Sequence, residues 1–287
     1  MTQFGILLPR APSSAPERWF DHLVDMTTGA EETGFRSVWV DDPPVAAPGG
    51  LEAVTLLGGL GARTSTVRLG MLAALSCRPA GILAKMVTTL DVITRGRVEL
   101  GLGLVPGVRA DGSRPGEAEP AEEVGEAVVV CRALFTGDDV SFTGHHNRLE
   151  HARNLPPPVQ PGGPTLMVGG LPTPTTSSHA DRLGCRLGVD RVGPFVDLVR
   201  RSGGSWGREL PITWFVPRES PERGESDGGP DKETVGAPEG PGALARWVLD
   251  HAPTGVDEVV VDLGTGGPDA VRAVGVALGL GPHRPAP

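Results

Sequence analysis

Short apolar runs alternate with amphipathic helical patterns from one end of the chain to the other, and this rhythm constrains the fold more than any other feature. Residues 3–8 (QFGILL) read as a strand and 17–33 as a helix. The unit recurs as strand 35–40 with helix 51–62, 66–75 with 80–94, and 97–103 with 117–136. It continues as 164–168 with 174–184, 185–189 with 194–202, 210–216 with 240–251, and 257–263 with 268–280. Near-continuous apolar strands separated by helices are buried on both faces, which is the pattern of a parallel sheet. Eight such units predict an α/β fold, a closed (β/α)₈ TIM barrel. The alternative is an open doubly wound sheet, but no GxGxxG follows the first strand. The 287 residues suffice for one barrel, so 1–287 read as a single domain.

Two segments interrupt the alternation. Residues 139–150 (DVSFTGHHNRLE) read as a small hairpin ahead of the Pro-rich stretch LPPPVQPGGP. Residues 218–239 are charged and rich in Gly and Pro, which predicts a flexible loop inside the domain.

Composition narrows the function. A net charge of −9 argues against nucleic acid or an anionic membrane surface as the main partner. No apolar run approaches the roughly 20 residues that span a bilayer. FGILLP at the start shows no signal-peptide pattern, so the cytoplasm is the expected compartment. Cys77, Cys131 and Cys185 are far apart with no CxxC, which predicts reduced thiols and no metal site. His145-His146 has no acidic or Cys partner at ligand spacing and reads as a surface turn. The chain contains no Tyr, so no phenol is available as an acid. GxSxG, HExxH and P-loop patterns are missing from the sequence.

In a barrel the ligand site lies at the C-terminal ends of the strands. There the sequence places Pro9 and Arg10, Asp41 and Asp42, Ser76 to Arg78, Gly101, Gly103, Val105 to Arg109, and Gly169-Gly170. Asp41 and Asp42 are adjacent carboxylates. If they share a site, one has a raised pKa and serves as a general acid; otherwise Asp42 caps a turn and Asp41 is solvated. Glycines at strand ends let a ligand meet backbone N–H groups. The segment TPTTSSHA after Gly170 reads as a helix start. Its N–H groups either hold an anion or are capped by Thr175 or Thr176.

Several segments resemble the luciferase-like monooxygenase family of flavin- and deazaflavin-dependent oxidoreductases. They are FGILLP, EETGFRSVWVDD, LAKMVTTLDVITRGRVELGLG, ALFTGDDVSFTGHHNRLE and PPPVQPGGPTLMVGG, and together they span about residues 1–190. The spacing LAKxxxTLDxxxxGRxxLGxG is the most specific of these signals. The resemblance implies a luciferase-like (β/α)₈ barrel with shortened loops, and FMN or the deazaflavin coenzyme F420 lying across its mouth. It implies hydride transfer or oxygenation on a small organic molecule, as in specialised metabolism, and a homodimer. It also implies a backbone bulge under the ring at Ala73, Ala74 and Ser76, with a non-proline cis peptide bond. Contacts from Gly103 complete the ring site, and Gly169 and Gly170 meet the cofactor's tail.

The chain departs from the family where chemistry is expected. Asp41-Asp42 stands where Asp-His is usual, Cys77-Arg78-Pro79-Ala80 is one residue shorter than its counterpart, and Asn147 replaces an expected Tyr. The usual Gly-Trp after the fourth strand is replaced by LVPGVRADG. An alternative reading is therefore a degenerate barrel without redox activity. It would bind a ligand or partner, or use Asp41 and Asp42 in non-redox acid–base chemistry.

Overall fold

Eight parallel strands close into a barrel in the computed structural model, following one another round the wall in chain order with only a two-stranded hairpin left outside it. The structure describes residues 2–10, 16–42, 50–75, 78–103, 119–169, 180–189, 211–216, 240–252, 256–264 and 266–281. The barrel strands are β1 (Gln3–Leu7), β2 (Ser37–Asp41), β3 (Arg68–Ala74), β4 (Val98–Gly103), β7 (Thr165–Gly169), β8 (Arg186–Val189), β9 (Ile212–Val216) and β10 (Glu258–Asp262). The outer helices are α1 (Pro16–Thr33), α2 (Ala53–Gly61), α3 (Ala80–Thr94), α4 (Glu119–Phe135), α5 (Pro241–His251) and α6 (Pro268–Ala277). The hairpin is β5 (Val140–Thr143) with β6 (Arg148–Ala152). Residues 180–183 are helical, consistent with the end of the helix expected over 174–184. The expected helix 194–202 and loop 218–239 lie outside the described residues.

Successive strand residues face opposite sides of the barrel wall. One set packs under the helices: Ile6, Val38, Val40, Leu69, Met71, Ala73, Leu100, Leu102 and Val168 belong to the large core cluster. The other set fills the barrel in layers. The middle layer is Trp39, Met167 and Val260 with Leu7, Leu72 and Phe215. Trp39 and Phe215 meet edge to face at 5.4 Å. Glycines make the room for these large groups. A Cβ on Gly70 would lie 2.3 Å from the Trp39 ring, and one on Gly101 would lie 2.7 Å from Leu72 and 3.0 Å from Met167.

The floor, at the N-terminal ends of the strands, is charged. Glu99 and Glu258 are fully buried there. Arg36 spans them, donating to Glu99 at 2.6 Å and to Glu258 at 3.0 Å. Arg68 pairs with Glu99 as well, while Ser37 and Thr213 donate to Glu258. Burial by itself pushes the Glu99 carboxyl up, but the Arg36 guanidinium, then Arg68 and Arg186, hold it below the ordinary carboxylate range.

The motif residues of LAKMVTTLDVITRGRVELGLG are scaffold. Asp91, fully buried, accepts hydrogen bonds from the Val159 N–H (2.8 Å), the Gln160 N–H (3.0 Å) and the Gln160 side chain (2.7 Å). Gln160 in turn bonds the Val98 carbonyl at 2.9 Å and accepts from Arg68 at 2.9 Å. Asn154 donates to Thr88 at 2.7 Å, and Lys85 caps the Leu155 carbonyl. Arg97 ties the α2–β3 turn to β4 through the carbonyls of Gly61, Thr64, Thr94 and Val67. LAKMVTTLD and PPPVQ are therefore two halves of one joint, which fixes the segment entering β7. Glu126 of α4 clasps the hairpin tip, accepting from the N–H groups of His145 (2.6 Å), His146 (2.9 Å) and Asn147 (2.9 Å).

Candidate active site

The mouth of the barrel has two unlike halves. On β3, β4 and β7 the register aligns Ala74 with Gly103 and Gly103 with Gly169, so three of the smallest residues form one row across adjacent strands. Leu72 and Met167 lie one layer below this row. Together they make a shallow shelf of backbone over an apolar floor.

The other half, on β10, β1 and β2, is polar. Arg10 donates to Asp41 through Nε at 3.1 Å and through Nη2. Asp262 ends β10 and accepts the Gly264 N–H at 2.7 Å. Arg10 and Asp41 line a crevice of about 10 Å³, room for about one water, together with Leu23, Val40, Leu51 and Leu56.

Asp41 and Asp42, which the sequence allows either to share a site or to act as a turn cap and a solvated residue, do not share a site. Neighbours on a strand point to opposite faces, so Asp41 follows Ser37 and Trp39 toward the lumen while Asp42 turns to the helix layer. Asp42 is 2% exposed. Its Oδ1 accepts from the Ala53 N–H at the start of α2 (3.4 Å) and from Arg78 Nη2 (3.2 Å), and its Oδ2 accepts from Arg78 Nη1. Arg78 also donates to Glu52 at 2.6 Å. Glu52 caps α2, accepting from the N–H groups of Val54 (3.1 Å) and Thr55 (2.7 Å). Burial pushes the Glu52 carboxyl up, yet the Thr55 hydroxyl, the two N–H groups and Arg78 hold it below its ordinary value. Asp42, Arg78 and Glu52 thus lock the β2 and β3 ends to α2. The two aspartates should differ in stability accordingly. Asp41→Asn is expected to cost less than about 1 kcal/mol, since Arg10 is 44% exposed. Asp42→Asn should cost about 2 kcal/mol, because a buried guanidinium loses its main partner. Urea denaturation of the two variants measures both, and equal losses would contradict this assignment.

Ala73 also turns away from the mouth. It is fully buried in the helix-facing core, so only its backbone is available to a ligand there. The one cis peptide bond among the described residues is Leu155–Pro156, so the bonds from Ala73 to Leu75 are trans. Ser76, Cys77, Val105 to Arg109, Gly170, Thr175 and Thr176 lie outside the described residues. Glu52 and Asp262 were not expected as site residues. Asp262 was legible from the alternation Glu258, Val260, Asp262, whereas Glu52 needed the packing of α2 against Arg78.

A family model described as luciferase-like monooxygenase matches residues 2–185. An F420-dependent glucose-6-phosphate dehydrogenase of Nakamurella multipartita is 31% identical over 213 residues, covering 64% of this chain and 62% of its own length. Pyrimidine monooxygenase RutA of Acinetobacter baylyi is 35% identical over 116 residues, covering 38% of this chain and 31% of its own length. The chain therefore spans less than two thirds of the length of these curated relatives. Among solved structures, the monooxygenase RslO1 from Streptomyces bottropensis superposes with a TM-score of 0.77 at 19% identity, over 96% of this chain and 98% of its own. An F420-dependent secondary alcohol dehydrogenase in complex with an F420–acetone adduct gives 0.75 at 17% identity, over 96% and 98%. At these identities the structural likeness is one of fold. No helix among the described residues is long and apolar enough to cross a membrane.

Proposed function

As this chain belongs to the luciferase-like monooxygenase family, we propose that it is a cytoplasmic oxidoreductase dependent on FMN or coenzyme F420 that acts on a small organic molecule. The observation that carries this reading is the aligned row Ala74–Gly103–Gly169 above Leu72 and Met167. A flat, largely apolar ring fits a shelf of backbone formed by three of the smallest residues, and it gains from the apolar floor beneath. When bound, the cofactor supplies hydride transfer or oxygen activation.

The residues of this chain bind, orient and exclude water. Leu72, Met167 and Trp39 keep the underside of the shelf dry. Backbone at Ala73, Ala74, Gly103 and Gly169 would hold the ring, and Ser76, Gly170, Thr175 and Thr176 would complete the cofactor site. Asp41, held by Arg10 on the opposite wall, orients a polar group of the substrate by accepting a hydrogen bond at its carboxylate. Asp42 acts through Arg78 as a positioning residue for the β2 and β3 ends.

The test is a titration of the full chain with FMN, FAD and F420, each oxidised and reduced, followed by quenching of tryptophan fluorescence. Saturable binding of FMN or F420 is expected. A folded protein that binds neither would overturn the reading in favour of a barrel without redox chemistry. That alternative draws its support from the Arg10–Asp41 pair at the mouth.

A further inference from the structure

At the end of the barrel opposite the mouth lies a second cleft, with a cavity volume of about 270 Å³. Arg132, Gly162, Gly163, Thr165, Cys185 and Arg186 are among its lining residues. It opens beside the charged floor, where Arg36, Arg68 and Arg186 meet Glu99 and Glu258 and where Asp257 accepts the Ile212 N–H next to Pro211.

Arg186 is the least satisfied member. Its Nη2 lies 3.4 Å from Glu258 and its Nη1 3.9 Å from Glu99, both long for ion pairs. Its Nε is buried and has no hydrogen-bond partner among the described residues. Arg132 adds a second cation to the same cleft. Two of its N–H groups go to the carbonyls of Leu183 and Gly184, the latter at 3.0 Å. An anion with several oxygens in the cleft would give the Arg186 Nη groups closer acceptors than the two carboxylates do, and would add charged acceptors for Arg132, because a planar guanidinium offers parallel donors to two oxygens.

We propose that this cleft is an oxyanion site, which takes a phosphate, sulfate or carboxylate group between Arg132 and Arg186. Gly162 and Gly163 leave the approach open: a Cβ on Gly162 would meet nothing within 4 Å. The site is separate from the mouth, at the other ends of β7 and β8, and does not depend on which cofactor the mouth holds.

Thermal unfolding of the full chain tests this, with inorganic phosphate or sulfate titrated against sodium chloride at matched ionic strength. Phosphate should raise the midpoint saturably by roughly 5 °C, and chloride should not. Gly162→Asp places a carboxylate in the cleft, and Gly162→Asn is its neutral isostere. Both residues tolerate the backbone φ of +78° at this position. G162N should keep the response, whereas G162D and R132Q should weaken apparent phosphate binding at least about tenfold. Equal responses to phosphate and chloride would overturn the proposal. So would a phosphate response that survives G162D and R132Q, since the anion would then be bound elsewhere, for instance at the mouth.

Discussion

Glu99→Gln is expected to destabilise the protein by about 3–5 kcal/mol, the cost of leaving buried charge without its partner. Glu99 is 1% exposed and is the acceptor for Arg36 and Arg68. Glutamine keeps the shape and one acceptor oxygen, so the loss reports charge rather than volume. For a domain of this size the unfolding midpoint should fall by roughly 10 °C. The pH dependence sharpens the test. Arg36, Arg68 and Arg186 hold the folded carboxyl below its ordinary value of 4.5. A group whose folded pKa is depressed contributes its full stability above the unfolded value, and that share is lost as pH falls through the folded value. The gap between wild type and E99Q should therefore be constant near neutrality and shrink below about pH 4.5. Urea midpoints at a series of pH values measure it. A gap that widens in acid, or is absent at pH 7, would show that the floor network is not stabilised by its charge.

Gly103→Val is expected to remove cofactor binding, by roughly 100-fold or more in Kd, while the barrel stays folded. Gly103 is the middle residue of the Ala74–Gly103–Gly169 row, on the rim of the mouth. A branched side chain there occupies the plane in which a ring would lie. Gly101 lies two residues earlier on the same strand and serves as the contrast. Its Cβ would meet Leu72 at 2.7 Å, Met167 at 3.0 Å and the Met71 carbonyl at 3.1 Å. Gly101→Val should overpack the lumen and cost about 1–3 kcal/mol. The pair thus separates a glycine kept for packing from one kept for a ligand. Fluorescence titration with FMN and F420 and urea denaturation, run on both variants, give the two readouts. Unchanged affinity in G103V would remove the shelf from the cofactor site.

The barrel and its strand order follow directly from the sequence, and so does the hairpin. The helix Ala80–Thr94 was legible as a run over about 80–94, and in the structure it stops at Arg95 and Gly96, both with positive φ. The family signal was equally plain, but its meaning was not. Asp91 and Gln160 are 69 residues apart, and nothing local says that one carboxylate receives the N–H groups of the other segment. The motif is the most specific family signal in one dimension and a structural joint in three.

The site was legible only as a set of strand ends. Asp41 with Asp42, and Ala73 with Ala74, are adjacent in sequence, and composition treats each pair alike. The structure separates them, sending Asp41 to the mouth beside Arg10 and Asp42 to Arg78 under α2. The physical reason is that a parallel barrel buries both faces of every strand. Hydropathy then cannot tell lumen from helix side, as it can in a sheet with one wet face. The sequence by itself determined that these strands are buried, that they number eight and that helices cover them. Closure and register decided which alternate residues face inward. They set the small-residue row over the apolar floor, and they brought Glu99 and Glu258, 159 positions apart in the chain, around Arg36.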